Sequence, residues 1–212
     1  MAVKVDDRAQ LGATGAAKPP RTARGERTMR KILDAARKEF GEHGFADSSI
    51  VGITQRAGVA LGTFYTYFES KEALFQALVR DMSAQVRDTV GPVLGEGKDG
   101  LDSERRALAA FLEFAREHRD IYRIIDESEF VEPAAYREHY ETTATRIAAR
   151  LRTAREKNEI GGNFSDEDLD ILAWGMMGAN VFLGLRFAVW DGADAKKVAD
   201  AMSRVWRRGF SG

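Results

Sequence analysis

The sequence predicts an all-α fold, and three observations carry that prediction. Apolar residues recur three and four apart through most of the chain, and no stretch alternates apolar with polar residues over a strand's length. Prolines, which interrupt helices, number only 4 in 212 residues.

The elements follow in order. Met29, Ile32, Leu33, Ala36 and Phe40 place a first helix over Thr28 to His43, with Gly44 positioned to end it in a left-handed conformation. Ser48 or Ser49 offers an N-cap to a short second helix striped by Ile50, Ile53 and Ala57, and Gly58 stops it. A third helix runs from Leu61 to about Phe68. Ser70, Ala73, Leu74, Ala77 and Leu78 then begin a long fourth, ending near Gly91 and Pro92. Beyond a loop from Gly95 to Gly100, the periodic segments are Ser103 to Glu117, Ile121 to Phe130, Pro133 to Asn158, Ser165 to Trp190 and Ala193 to Arg208. Two short helices with a tight glycine-containing turn make a helix-turn-helix. The expected organisation is a disordered basic leader over 1–23, a three-helix unit over 24–71, and a larger helical domain over 72–212 joined to it by the long helix.

The third helix has two unlike sides. At about 100° per residue, Leu61, Phe64 and Phe68 share one stripe, while Gly62 and Thr66 lie opposite, flanked by Thr63, Tyr65 and Tyr67. One side packs and the other is available to phosphates and base edges. Hydroxyls, together with the Lys71 ammonium, suit phosphate oxygens, which take half or more of protein–DNA hydrogen bonds. Gly62 would let the backbone approach a groove closely. The alternative is an αα-hairpin with a merely polar outer face, against which the clustering of hydroxyls beside a basic first helix argues.

Charge is unevenly spread. The formal net charge is −1, yet Lys18, Arg21, Arg24, Arg27, Arg30, Lys31, Arg37 and Lys38 face only Glu26 and Asp34 within their segment. This points to a local polyanion contact. An arm of Arg21, Arg24 and Arg27 could enter a minor groove, as basic arms do elsewhere, or simply be a solvated tail. With no cysteine, disulfides and thiolate chemistry are excluded. The first twenty residues lack the apolar run of a secretory signal, and the longest uncharged run, Ile171 to Leu185, falls short of the roughly 20 residues of a membrane span. The expectation is a cytoplasmic protein without a membrane anchor.

Residues 28–78 resemble the DNA-binding domain of the TetR (tetracycline repressor) family of transcriptional regulators. The likeness rests on Gly58-Val59, Gly62-Thr63-Phe64-Tyr65, Tyr67-Phe68 and Lys71-Glu72-Ala73-Leu74. It implies Thr63 and Tyr65 at the DNA surface, phosphate contacts from Tyr67 and Lys71, and a phosphate-binding Ser49 at the start of helix 2. With Arg24, Gly62 and Thr66 read from the residues themselves, these form the expected DNA-binding set. Gly52, Thr54 and Leu61 depart from the pattern and leave base contacts from helix 2 unsupported.

For the C-terminal half the resemblance implies only a helical, dimerising and ligand-binding body. The residues agree independently. Leu172 to Phe187 is apolar nearly all round and is expected to be buried on every side, with Gly175, Gly178 and Gly184 permitting close helix approach. Together with the last helix it suggests a two-fold four-helix seam through Met177, Val181, Leu185, Met202 and Trp206, or else ordinary core. Phe111, Phe114, Tyr122, Phe130, Tyr140 and Trp174, with Asn180 and Arg186 as polar handles, are expected to line an effector cavity, although each aromatic alone suits a core equally. The implied function is a homodimeric regulator, a repressor released from a palindromic DNA operator by an apolar or amphipathic small molecule. An activator of the same fold and a helical carrier or enzyme without DNA binding are the alternatives.

Catalytic readings find no support. Gly95 to Gly100 fits G-x-G-x-x-G, but no strand precedes it and no βαβ unit surrounds it. His118-Arg119-Asp120 copies a kinase tripeptide whose required Asn is replaced by Ile125. His43, His118 and His139 are scattered, so neither a metal nor a cofactor is expected.

Overall fold

The computed structural model describes residues 17–161 and 163–210; the first sixteen residues of the expected leader lie outside these. Among the described residues every regular element is helical: α1 (Ala23–Asp47), α2 (Ile50–Ala57), α3 (Leu61–Tyr67), α4 (Lys71–Leu94), α5 (Gly100–Glu117), α6 (Asp120–Val131), α7 (Pro133–Glu156), α8 (Asp166–Leu183), a π-helical continuation of α8 (Gly184–Trp190), and α9 (Ala195–Phe210). They group into two compact units that meet in sequence between Leu78 and Val79, so the first two turns of α4 belong with the helices before them.

Polar residues set the helix ends. The Thr22 hydroxyl accepts from the Gly25 N–H and starts α1 five residues earlier than the apolar pattern indicates. Ser49 caps α2 by accepting from the Gly52 N–H at 3.0 Å. Gly58 ends α2 at φ 66°, ψ 38°, a left-handed conformation that costs a residue with a Cβ roughly 1–2 kcal/mol. At Gly44 the helical path of α1 breaks, leaving a last turn through Asp47.

The first unit closes around aromatic rings. Phe40 of α1, Phe45 of its last turn and Phe75 of α4 lie with centroids 5.0–5.7 Å apart, while Phe64 and Phe68 meet at 5.6 Å. Ile32, Ala36, Ile53 and Leu74 are buried with them. The break at Gly44 leaves carbonyls without helical partners, and the Lys71 ammonium takes those of Phe45 at 2.6 Å and Ser48 at 2.9 Å while sitting 4.3 Å over the Phe45 ring. Arg56 ties α2 to α1 through Glu39 and Glu42.

In the second unit α7 packs on α8, and α5 packs on α9 and the π-helical segment. One core cluster joins Ile147 and Leu151 to Leu169, Ala173 and Met176, closed by Phe210. The other joins Leu108, Leu112 and Ala115 to Ala188, Ala195 and Ala199. Buried charges lock the frame. Asp102 receives Arg105 at 2.9 Å, Arg106 at 3.1 Å and the Lys98 N–H at 3.1 Å; burial alone would raise its pKa, but these partners hold it well below the usual carboxylate range. Arg105 continues to Asp200, joining α5 to α9. The Glu104 carboxylate, with its side chain 4% exposed, accepts from Nε and Nη2 of Arg150 across α5 and α7.

Removing only one partner of that last pair strands a buried charge. Arg150→Met is therefore expected to lower stability by about 3–5 kcal/mol in a urea unfolding curve. Combining it with Glu104→Gln should recover most of the loss, because no uncompensated charge remains.

Candidate nucleic-acid interface and ligand cavity

α3 is held by its buried face alone. Phe64 and Phe68 are fully buried, whereas Leu61 is 46% exposed and does not anchor the helix as its place on the stripe indicated. The reason is length: the helix has seven residues, so Leu61 in its first turn reaches past the edge of the core. On the outer side Gly62, Tyr65 and Thr66 are exposed, and Thr63 and Tyr67 half-buried. Nothing lies within 4 Å of where a Gly62 Cβ would stand. Thr66 returns its hydroxyl to the Gly62 carbonyl at 3.3 Å. The Ser49 oxygen is an acceptor in its cap, so its hydroxyl hydrogen remains available to donate outward. Val51, also exposed, extends this surface along α2.

Three expectations for this face change. Arg24 and Arg27 belong to α1, because the Thr22 cap starts the helix ahead of them; they are exposed helical cations and no extended arm. Tyr67 places its hydroxyl against Gly25 in the first turn of α1. Lys71, read as a phosphate contact, is engaged with the carbonyls of Phe45, Ala46 and Ser48. Gly52 and Thr54 have structural roles: a Cβ on Gly52 would come within 2.7 Å of the Glu39 carboxylate, and Thr54 is buried with its hydroxyl on the Val51 carbonyl.

The second unit contains a cavity of about 170 Å³ among α4, α5, α6, α7 and α8. Val86, Val90, Leu94, Ala107, Ile121, Ile125 and Ile147 make most of it apolar. Of the expected effector residues it gathers Phe111, Tyr122, Tyr140 and Asn180. The other four are elsewhere. Phe114 is buried and stacks on His118 at 4.2 Å. Phe130 is 84% exposed, and Trp174 is 48% exposed on the outer face of α8. Arg186 pairs with Asp191 beside the Phe187 ring. Periodicity gives each residue an angle on its own helix but not the direction of the neighbouring helices.

Polar groups missed from the sequence also line the cavity: Ser83, Arg87, Asp126, His139, Arg146 and the Glu104–Arg150 pair. Burial pushes the His139 pKa down to about 4 and raises that of Asp126, with Glu129 adding to the latter. Asn180 Oδ1 is buried without a hydrogen-bond partner. Gly184 lets the π-helical segment close on this wall: a Cβ there would overlap the Tyr122 hydroxyl, which donates to the Val181 carbonyl at 2.9 Å.

Of the expected seam residues only Met177 is buried, and the other four are half-buried. Met177 is core, Val181 lines the cavity, Met202 and Trp206 pack on the two core clusters, and Leu185 is half-buried. α8 is consequently not buried on every side. Ile171, Trp174 and Phe182 form an exposed stripe at spacings of three and eight, with Gly175 and Gly178 open between them. By length and composition the helix from Asp166 to Trp190 is apolar enough to cross a membrane, while its other side, at Leu169, Ala173 and Met176, is committed to the core.

A trihelical unit that turns a short hydroxyl-bearing helix outward, followed by a helical unit around a cavity, is the architecture of a helix-turn-helix unit joined in sequence to a cavity-bearing helical body. Residues 32–78 match the family described as bacterial regulatory proteins, tetR family. Those residues are the helix-turn-helix unit with the start of α4, so the likeness to the TetR family lies in this domain. It is 34% identical over 106 residues to the uncharacterized HTH-type transcriptional regulator YdgC of Bacillus subtilis, covering 48% of this chain and 54% of that protein. It is 38% identical over 76 residues to the HTH-type transcriptional regulator BetI of Klebsiella pneumoniae, covering 36% and 39%. The chain thus spans about half the length of the first relative and less of the second. Among solved structures, the transcriptional regulator FadR from Bacillus subtilis in complex with stearoyl-CoA shares the fold, with a TM-score of 0.74 at 17% identity over 85% of this chain and 98% of that one.

The bonds of Lys71 separate a structural from a DNA-contacting role. Lys71→Met is expected to lower thermal stability by about 2 kcal/mol, the scale of a charged hydrogen bond. The salt dependence of DNA binding should keep its slope; a slope smaller by about one unit would instead place this ammonium on a phosphate.

Proposed function

We propose that the protein is a homodimeric regulator of transcription, a repressor that leaves a palindromic operator when an apolar or amphipathic small molecule enters the cavity of its second unit. What supports this reading best is the presence in one chain of the hydroxyl-bearing outer face of α3 and a mainly apolar cavity holding an orphaned polar atom. Thr63, Tyr65 and Thr66 read the major groove, with Gly62 allowing close approach. Ser49 and Arg24 hold phosphates. Two copies join through the exposed stripe of α8 and set their recognition helices about 34–36 Å apart, one turn of DNA. α4 begins in the DNA-binding unit and lines the cavity farther on, so a ligand that prefers one arrangement of α4 shifts the DNA-competent population. Such coupling is typically about 1–3 kcal/mol. The stearoyl-CoA of the FadR structure supports counting an acyl thioester among the amphipathic candidates. The cytoplasm, where the chromosome lies, is the proposed compartment.

The experiment is a mobility shift with DNA from upstream of the protein's own gene, followed by operator selection. A shift that weakens steeply with salt is expected, and none at low salt would overturn the reading. Tyr65→Phe and Thr63→Ala should each cost about 1 kcal/mol on the selected operator and alter the selected bases. Trp174→Glu with Phe182→Glu should sediment as a monomer at micromolar concentration and bind the palindrome at least about tenfold more weakly, a loss of about 1.4 kcal/mol. A dimer that survives both charges would move the interface away from α8.

A further inference from the structure

The cavity that Asn180 lines also carries polar groups whose hydrogens are already committed. The Ser83 hydroxyl lies 2.8 Å from the Val79 carbonyl and 2.6 Å from His139 Nδ1. A carbonyl can only accept, so the hydroxyl hydrogen goes to Val79. Nδ1 must then carry the hydrogen that it donates to Ser83 Oγ. In the neutral ring this leaves Nε2 as an acceptor, and burial favours the neutral ring. Tyr122 gives its hydrogen to the Val181 carbonyl. Asn180 Oδ1 has no partner at all, and the Asp126 carboxylate completes the set. The imidazole, hydroxyl and carboxylate groups of this wall therefore present lone pairs to whatever enters.

We propose that the cavity selects a ligand whose apolar body carries a hydroxyl or N–H group, donated to Asn180 Oδ1 with His139 Nε2 as a second acceptor. This deepens, and rests on, the reading of the cavity as the effector site. An unsubstituted acyl chain fills the same apolar space but leaves Oδ1 orphaned, whereas a donor restores the bond that burial otherwise denies it. Arg87 and Arg146, exposed members of the lining, suit an anionic group at the solvent end of the same molecule.

The test is calorimetric titration of the full chain with matched probes: dodecanoate against 12-hydroxydodecanoate, 4-phenylbutyrate against 4-(4-hydroxyphenyl)butyrate, and stearoyl-CoA as an unsubstituted long chain. The hydroxylated member of each pair is expected to bind about tenfold more tightly. Asn180→Leu should bring the two members of a pair together by weakening the hydroxylated probe and strengthening its partner. Asn180→Asp, which keeps an acceptor, should preserve the preference, and His139→Phe should narrow it. Ala107→Trp fills the cavity and should abolish binding of every probe. Equal binding within pairs to the wild type, blocked by Ala107→Trp, overturns donor selection while the effector-site reading stands. Binding that Ala107→Trp leaves intact, or no binding of any probe, removes that reading and the proposal with it.

Discussion

The N-terminal unit depends on one ammonium group. The chain leaves helical geometry at Gly44, and the carbonyls of Phe45, Ala46 and Ser48 that follow turn to the Lys71 ammonium beside an aromatic cluster. Lys71 supplies hydrogens to all three and rests its charge on the Phe45 ring. Lys71 is also the first residue of α4, whose start is capped by the Ser70 hydroxyl accepting from the Ala73 N–H at 3.1 Å, so the same bonds tie that start to the end of α1. α3, with seven residues and only Phe64 buried within its span, has too little apolar surface to hold itself. It keeps its orientation because helices on both sides of it in sequence are tied together. An outward face of hydroxyls is then an outcome of packing elsewhere.

α8 shows how one helix can be apolar almost all round for three separate reasons. Leu169, Ala173 and Met176 face the core, Met177, Asn180 and Val181 face the cavity, and Ile171, Trp174 and Phe182 face outward. Each face alone is an ordinary amphipathic stripe; together they cancel the polar side that a surface helix usually shows. The π-helical turn that follows brings Gly184 against Tyr122, so the wall of the cavity and the end of α8 are packed as one piece.

The cavity is itself a compromise between filling and recognition. A core of the same outline would replace Asn180 by an aliphatic residue and avoid an unmet acceptor. Keeping an amide there, in the same wall as a serine and a histidine bonded to each other, is costly without a ligand and specific with one. The ion pairs of Asp102 and Glu104 nearby carry no such orphan, because Arg105, Arg106 and Arg150 complete them.

The sequence by itself determined the helical class, the order of the elements, most of their ends and the two-faced character of α3, because capping residues, glycine stops and apolar periodicity are local properties. Ser49, Gly58 and Ser165 mark helix ends for reasons contained within a few residues of each. The tertiary structure alone decided which of the aromatics share a cavity, why Trp174 and Phe130 face outward while Phe111 and Tyr140 face inward, and that Lys71 is spent inside the protein. Those outcomes depend on how helices distant in sequence are rotated about their own axes, and a helix that is apolar on every side carries no mark of that rotation.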